Sequence, residues 1–188
     1  QEEGMLDVIS GESERLARIV NDILLASRLD SGAEEVLIVR TDATEIARAV
    51  IAAAEAHLPP DIELVLSTPD ASLHVKADAD GLRQVLVNLI ENAVKYSPGG
   101  GRVDLEIAVE DGYARFAVRD RGLGIPPSEH ERIFEKFFRI DPNLSRGVGG
   151  TGLGLYISRE IVRRMGGRLR VESEPGAGST FLFELPVA

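Results

Sequence analysis

The chain has 188 residues, enough for one substantial hydrophobic core with a helical appendage. Its net charge of −10 argues against a nucleic-acid or anionic-membrane surface, and the absence of cysteine excludes disulfides and thiolate metal sites and suits a reducing cytoplasm. No apolar run approaches the ~20 residues of a membrane span, and the acidic residues 1–15 do not resemble a signal peptide.

Residues 1–30 are predicted to form a helix with a narrow apolar stripe. The stripe consists of Met5, Ile9, Leu16, Ile19 and Ile23. A narrow stripe of this kind favours packing against another helix, and we expect that helix to come from a second copy of the chain. The alternative is that the helix folds back on the main domain.

The remaining chain mixes short strands with helices. Predicted strands lie near residues 36–40, 62–67, 72–77, 102–110, 113–120, 168–174 and 179–187. Predicted helices cover residues 42–57, 79–96 and 152–165. Because strands and helices do not alternate strictly, we expect an α+β fold. It would be a two-layer sandwich of a mixed, mostly antiparallel sheet with helices on one face, preceded by the N-terminal helix.

A glycine-rich segment, residues 147–155, runs into the start of the last predicted helix. Glycine at this density indicates positive φ angles or close backbone approach, and a loop that leads into a helix N-terminus is suited to bind phosphate. The chain has no G-x-x-x-x-G-K-[ST] sequence, so a Walker-type site is excluded. A dinucleotide fingerprint is disfavoured because Gly147, Gly149 and Gly152 follow a loop rather than a strand.

The predicted helix over residues 79–96 carries polar residues on a face separate from its leucines. Asn88, Asn92 and Lys95 fall within about 60° of one another at helical spacing. An asparagine oxygen can bind a hard cation, and a lysine can bind phosphate. The alternative for these three residues is an ordinary solvated helix face.

Asp120 ends a predicted strand and precedes a loop with two glycines, residues 121–126. A carboxylate there could accept the exocyclic amine of adenine. Aspartate and glycine are common turn residues, so this motif alone is weak evidence for a binding site. It supports one only in combination with the glycine-rich segment and the polar face of the helix over residues 79–96. Together the three motifs indicate a site for an adenine nucleotide.

Five segments, in order along residues 36–188, resemble the signature boxes of sensor histidine kinases. Residues 86–97 are similar to the N box, 120–124 to the first glycine box, 133–139 to the F box and 149–155 to the second glycine box. Residues 175–181 resemble the final G-x-G-[ST]-x-F segment. The wider ATPase superfamily also contains type II topoisomerases, a heat-shock chaperone and mismatch-repair ATPases, and the F box favours the histidine kinases within it.

The resemblance implies roles for residues near the phosphates of ATP. Asn92 would ligate Mg²⁺, and Asn88 would lie close by, where hydrolysing relatives place a catalytic glutamate. Lys95 and Arg139 would approach the phosphates. Residues 140–150 would form a mobile lid over ATP.

The resemblance also implies roles near the base. Tyr96 would line the nucleotide pocket, and Asp120 would bind adenine N6 with help from Thr180. The other residues expected to contact the nucleotide belong to the two glycine boxes: Gly122, Gly124, Ile125, Gly150, Thr151, Gly152, Leu153, Gly154 and Leu155.

The resemblance divides the chain into residues 1–32, the second helix of a dimerisation domain, and residues 33–188, the ATP-binding catalytic domain. The family's phosphoacceptor histidine lies in an H-E-x-R-T-P-like segment, and His57, His74 and His130 lack those neighbours. Each is expected to be a surface or structural residue. We therefore expect the chain to begin after the acceptor, to bind ATP and not to phosphorylate itself.

The implied partners are ATP or ADP with Mg²⁺, a phosphoacceptor dimerisation domain in a homodimeric parent protein, and a response regulator, without nucleic acid. The expected location is the cytoplasm, with the parent protein anchored in the membrane. Two rival interpretations are an anti-sigma serine kinase and a nucleotide-binding module without transfer activity.

Overall fold

The computed structural model describes residues 2–69, 71–140 and 150–188. Most of the expected lid, including Gly147 and Gly149, lies outside these residues, as do the side chains of Met5 and Ile9. The helices are α1 (Glu2–Ser31), α2 (Ala43–Glu55), α3 (Ala79–Lys95) and α4 (Gly154–Arg164), with 3-10 turns at Pro127–Glu129 and Arg132–Phe134. The strands are β1 (Val39–Asp42), β2 (Ile62–Ser67), β3 (His74–Ala77), β4 (Gly101–Glu110), β5 (Tyr113–Arg119), β6 (Leu169–Glu174) and β7 (Gly178–Pro186).

The main sheet has five strands in the order β2-β4-β5-β7-β6. Only the β2–β4 pair is parallel, and the other neighbouring strands are antiparallel. Strands β1 and β3 form a separate antiparallel pair, which a bridge between Val75 and Val187 joins to the chain after β7. The predicted α+β fold with a mixed, mostly antiparallel sheet is confirmed.

One face of the sheet is apolar and packs against the helices. Alternation along β4 buries Val103, Leu105 and Ile107, because successive side chains of a strand point to opposite faces. On the two neighbouring strands, Phe116 and Phe183 stack in parallel with ring centroids 4.5 Å apart. Helices α2, α3 and α4 lie side by side in the second layer.

Capping residues start the two helices that follow β1 and β3. Asp42 accepts a hydrogen bond from the Glu45 N–H at 2.9 Å, and Asp78 accepts one from the Gly81 N–H at 2.7 Å. Each satisfies a backbone donor that a helix start leaves unpaired. The predicted helix starts at residues 42 and 79 are therefore accurate to about one residue.

Helix α1 contacts the main domain through its C-terminal end. Ala26 and Leu29 are buried, and Asp30 binds both Lys136 and the Tyr156 hydroxyl. This end of α1 matches the alternative in which the helix folds back on the domain. Two residues of the predicted stripe stay exposed, Leu16 at 60% and Ile23 at 46% of full accessibility, whereas Ile19 is half-buried. None of the helices in the described residues is both long and apolar enough to cross a bilayer.

We expect Phe183→Ala to lower the free energy of unfolding by about 3–5 kcal/mol, because it removes one ring of the buried stack and leaves a cavity. Urea denaturation measures the change. The matched control is Tyr113→Ala, an exposed aromatic on the neighbouring strand, which should cost about 1 kcal/mol or less. Equal losses of unfolding free energy in the two variants would contradict this description of the core.

Candidate functional site

A cavity of about 670 Å³ lies between α1, α3 and the glycine-rich start of α4. It brings together many of the predicted site residues: Asn88, Asn92, Lys95, Tyr96, Arg139, Gly150, Thr151, Gly152, Gly154 and Leu155. Residues separated by more than sixty positions in the sequence therefore line one space. The cavity is large enough for a nucleotide-sized ligand.

Helix α3 provides one wall of the cavity. Its leucines at 82, 86 and 89 are fully buried in the core, which fixes the rotation of the helix and turns Asn92 toward the cavity. No group in the described residues forms a hydrogen bond with the Asn92 side chain, so its oxygen can bind a cation or ligand.

Asn88 lines the same wall but its amide is already engaged. Its nitrogen donates to the Gly154 carbonyl and to the Ser158 hydroxyl, both at 3.2 Å. Its oxygen accepts from Gln84 at 3.0 Å. Both amide hydrogens are used, so Asn88 joins α3 to the first turns of α4. These contacts position the two helices relative to each other, and the catalytic role expected for Asn88 stays a prediction.

Lys95 connects α3 to the glycine-rich loop. Its ammonium lies 4.9 Å from the Tyr96 ring centroid, a cation–π distance. A Cβ added to Gly150 would overlap that ammonium. The lysine charge is therefore beside the loop backbone, where a phosphate would lie.

The N-terminus of α4 provides the opposite wall. No side chain caps the helix at Leu153, and Gly154 and Leu155 line the cavity. Uncapped N–H groups and the positive end of the helix dipole favour an anion there. Leu153 itself is fully buried, so its side chain anchors the loop rather than contacting a ligand.

The glycine-rich loop is held by the F-box segment and by its own threonine. Gly152 has a φ of 70°, and its carbonyl accepts from the Phe137 N–H at 3.0 Å. The Thr151 hydroxyl accepts from the Leu153 N–H at 3.1 Å. A side chain at Gly152 would also crowd the Phe137 backbone, so glycine is required by both conformation and space.

Asp120 is a buried carboxylate, only 4% exposed. Its Oδ1 accepts from the N–H groups of Gly122 at 2.8 Å and Ser179 at 3.2 Å. Within the described part of the chain no group donates to Oδ2, which leaves this oxygen for a ligand. Burial raises the pKa of Asp120 above its ordinary value, while the two N–H groups lower it by less.

The Asp120 loop is attached to the end of α3 beside the cavity. The Leu123 N–H donates to the Tyr96 carbonyl at 3.0 Å. Gly122 packs so closely there that a Cβ would overlap the same carbonyl oxygen. Asp120, Gly122, Gly124, Ile125 and Thr180 are not among the residues lining the cavity, but Tyr96 belongs to both regions.

Thr180 is placed differently from the expectation. It pairs with Arg119 and Glu172 across the sheet, and strand alternation puts its side chain on the face opposite the helices. Ser179 is the buried residue whose N–H binds Asp120. Adjacent residues of a strand point to opposite faces of the sheet. The residue beside Asp120 is therefore Ser179 and not Thr180.

The sequence did not indicate that α1 lines the cavity. The additional residues on the lining are Glu12, Arg15, Arg18, Ile19 and Asp22 from α1, Glu91 from α3, and Ile133 and Phe138 from the F-box segment. Asp22 accepts from the Thr151 hydroxyl at 3.1 Å, and burial raises the pKa of Asp22. The charges of α1 were visible in the sequence, but their position depends on how the helix packs.

The described residues contain no cluster of three or more His, Asp or Glu side chains suited to a metal. None of the three histidines lines the cavity. The His130 ring lies 3.1 Å from the Ile125 carbonyl, which supports the expected structural role for this residue.

The sequence model of the histidine kinase-, DNA gyrase B- and HSP90-like ATPases matches residues 77–188. The sensor histidine kinase WalK of Bacillus subtilis (strain 168) is 40% identical, over 96% of this chain and 30% of WalK. Full-length ShkA, crystallised with AMPPNP, has a TM-score of 0.85 and 33% identity over 99% of this chain and 39% of ShkA. The mycobacterial sensor histidine kinase MprB has a TM-score of 0.69 and 32% identity, over 80% of this chain and 98% of MprB.

The chain belongs to the histidine kinase-, DNA gyrase B- and HSP90-like ATPase family, and within it to the sensor histidine kinases. It contains the ATP-binding catalytic domain of such a kinase. It spans about three tenths of the length of WalK.

We expect Asp120→Asn to stabilise the ligand-free protein at pH 7. The raised pKa means that the folded carboxyl keeps its proton longer than the unfolded one, so stability falls as pH rises from 3.8 through the folded pKa. The stability advantage of the variant should therefore be largest at neutral pH and shrink below pH 3.8. Thermal unfolding from pH 3 to 8 measures it, and an advantage that grows toward acid pH would contradict the assignment.

Proposed function

We propose that this chain binds Mg-ATP and transfers the γ-phosphoryl group to a histidine on a helical dimerisation domain. The observation that carries the proposal is the cavity in which the free amide of Asn92, the Lys95 ammonium and the uncapped start of α4 converge. Each of the three favours phosphate or its cation, and their convergence supports a nucleotide site rather than a solvated helix face.

The phosphate end of ATP would lie between α3 and α4. Asn92 would hold the magnesium ion, which neutralises phosphate charge when bound. Lys95 and the N–H groups near Gly154 would hold phosphate oxygens in place, and Arg139 would reach them from the F-box segment. Phosphoryl transfer depends mainly on such positioning and charge neutralisation.

The base would lie at the Asp120 loop. Asp120 Oδ2 is available to accept the adenine amino group, and Tyr96 links this loop to the cavity. A guanine carbonyl would face the carboxylate instead. The loss of one charge-assisted hydrogen bond costs about 1.5–3 kcal/mol, so ATP is preferred over GTP.

Residues 1–32 would be the second helix of the dimerisation domain, and residues 33–188 the catalytic domain. The exposed stripe of Leu16, Val20 and Ile23 supports helix–helix packing in a homodimer. A response regulator would receive the phosphoryl group from the acceptor histidine. The ATP requirement favours a cytoplasmic location for this domain, with the parent protein anchored in the membrane.

We expect Asn92→Ala to remove the magnesium dependence of ATP binding, because it deletes the proposed protein ligand. Calorimetric titration of ATP with Mg²⁺ and with EDTA measures both affinities. The wild-type protein should bind more tightly with metal, and the variant should bind equally under both conditions. The matched control is Asn21→Ala, an exposed asparagine of α1 outside the cavity lining. If Asn92→Ala kept the wild-type metal dependence, Asn92 would not be the ligand.

We expect the chain to phosphorylate a separate dimerisation domain that contains the acceptor histidine. The two proteins are mixed with γ-labelled ATP and Mg²⁺, and acid-labile label on the acceptor is measured. Replacing the acceptor histidine by alanine should abolish the label, and the chain alone should remain unlabelled. ATP binding without transfer to acceptor domains from several sensor histidine kinases would favour the rival interpretation, a nucleotide-binding module.

A further inference from the structure

Ser173 of β6 lies at the centre of a small hydrogen-bonded cluster behind Asp120. Its hydroxyl donates to the Gly178 carbonyl at 2.8 Å and accepts from the Ile125 N–H at 2.8 Å. It also lies 2.9 Å from the Ser179 hydroxyl. These contacts connect β6, β7 and the loop that follows Asp120.

The direction of the bond between the two serines follows from counting hydrogens. A serine hydroxyl has one hydrogen and two acceptor positions. Because a carbonyl can only accept, the Ser173 hydrogen goes to Gly178. Ile125 fills one acceptor position of Ser173, so the second is left for the Ser179 hydrogen. Ser179 is therefore the donor to Ser173.

The direction of this hydrogen bond determines how the Ser179 hydroxyl can interact with a ligand. Its only hydrogen is used on Ser173, so its oxygen can act only as an acceptor. Ser179 is also joined to Asp120 by two bonds, from its N–H to Oδ1 and from the Asp120 N–H to its carbonyl at 2.9 Å. The residue that carries this acceptor-only hydroxyl is thus joined through its backbone to Asp120, whose carboxylate can also only accept.

We propose that Ser173 is a positioning residue that sets nucleotide selection by keeping the Ser179 hydroxyl turned away from the base. The inference rests on the proposed binding of ATP at Asp120. With the Ser173 contact intact, neither Asp120 Oδ2 nor the Ser179 hydroxyl can donate to the carbonyl of a guanine base, whereas Asp120 Oδ2 can accept from the amino group of adenine. Without Ser173, the Ser179 hydroxyl is free to rotate and donate to the guanine carbonyl.

The test compares ATP and GTP affinities of the wild-type protein, Ser173→Ala and Ser173→Thr by calorimetric titration with Mg²⁺. In Ser173→Ala we expect the ATP-to-GTP affinity ratio to fall about three- to tenfold, because one neutral hydrogen bond changes an affinity by about that factor. Ser173→Thr keeps the hydroxyl and should restore the ratio. Ser67→Ala, an exposed serine on β2 of the same sheet, should leave both affinities unchanged.

A second comparison distinguishes an effect on the choice between ATP and GTP from a general disturbance of the loop that follows Asp120. Ser173 acts through Ser179, so in a Ser179→Ala background the further change Ser173→Ala should leave the ratio unaltered. If Ser173→Ala weakened ATP and GTP equally, Ser173 would support the loop only and the inference would be overturned. If the wild-type protein bound neither nucleotide, the proposed function itself would fail, which is a different outcome.

Discussion

The site depends on the fixed rotation of helix α3. The helix is held on one side by leucines with no exposed surface, and close-packed side chains of that kind resist rotation. The same helix turns Asn92 and Lys95 toward the cavity and presents its last carbonyl, that of Tyr96, to the Asp120 loop. The core and the proposed nucleotide site therefore share one element, and a change that rotates α3 would disturb both.

The charge of the cavity explains why a metal ion is expected there. The lining contains the cations Arg15, Arg18, Lys95 and Arg139, but also the acids Glu12, Asp22 and Glu91. A triphosphate placed among three carboxylates would need further positive charge, which Mg²⁺ would supply together with the helix dipole of α4. The net charge of −10 is thus compatible with an anionic ligand, because the binding groups are local.

Local patterns predicted the fold well. The hairpin turn at Asp111 and Gly112 was visible in the sequence, and both residues have positive φ angles. The caps at Asp42 and Asp78 are local contacts too, since each involves a residue three positions ahead, and the helix starts beside them were predicted to about one residue. Helical periodicity also placed Asn88, Asn92 and Lys95 on one face, and the structure puts all three at the cavity.

Properties that depend on long-range packing could not be predicted. Thr180 was predicted to assist Asp120, but the contact of Asp120 with Ser179 depends on the pairing of β7 with β5, which the sequence of β7 alone does not show. The bonds of Asn88 to Gly154 and Ser158 form only once α4 is docked, so no local pattern indicates them. The contact between Asp22 and Thr151 joins residues far apart in the sequence, and no local pattern signals it.

The most direct measurement is a structure determined from crystals of the protein that have been soaked with a non-hydrolysable ATP analogue and magnesium chloride. The account predicts the triphosphate between Asn92, Lys95 and the first residues of α4, with the adenine amino group at hydrogen-bond distance, about 3 Å, from Asp120 Oδ2. An analogue bound with its base away from Asp120, or with its phosphates outside the cavity, would contradict the account.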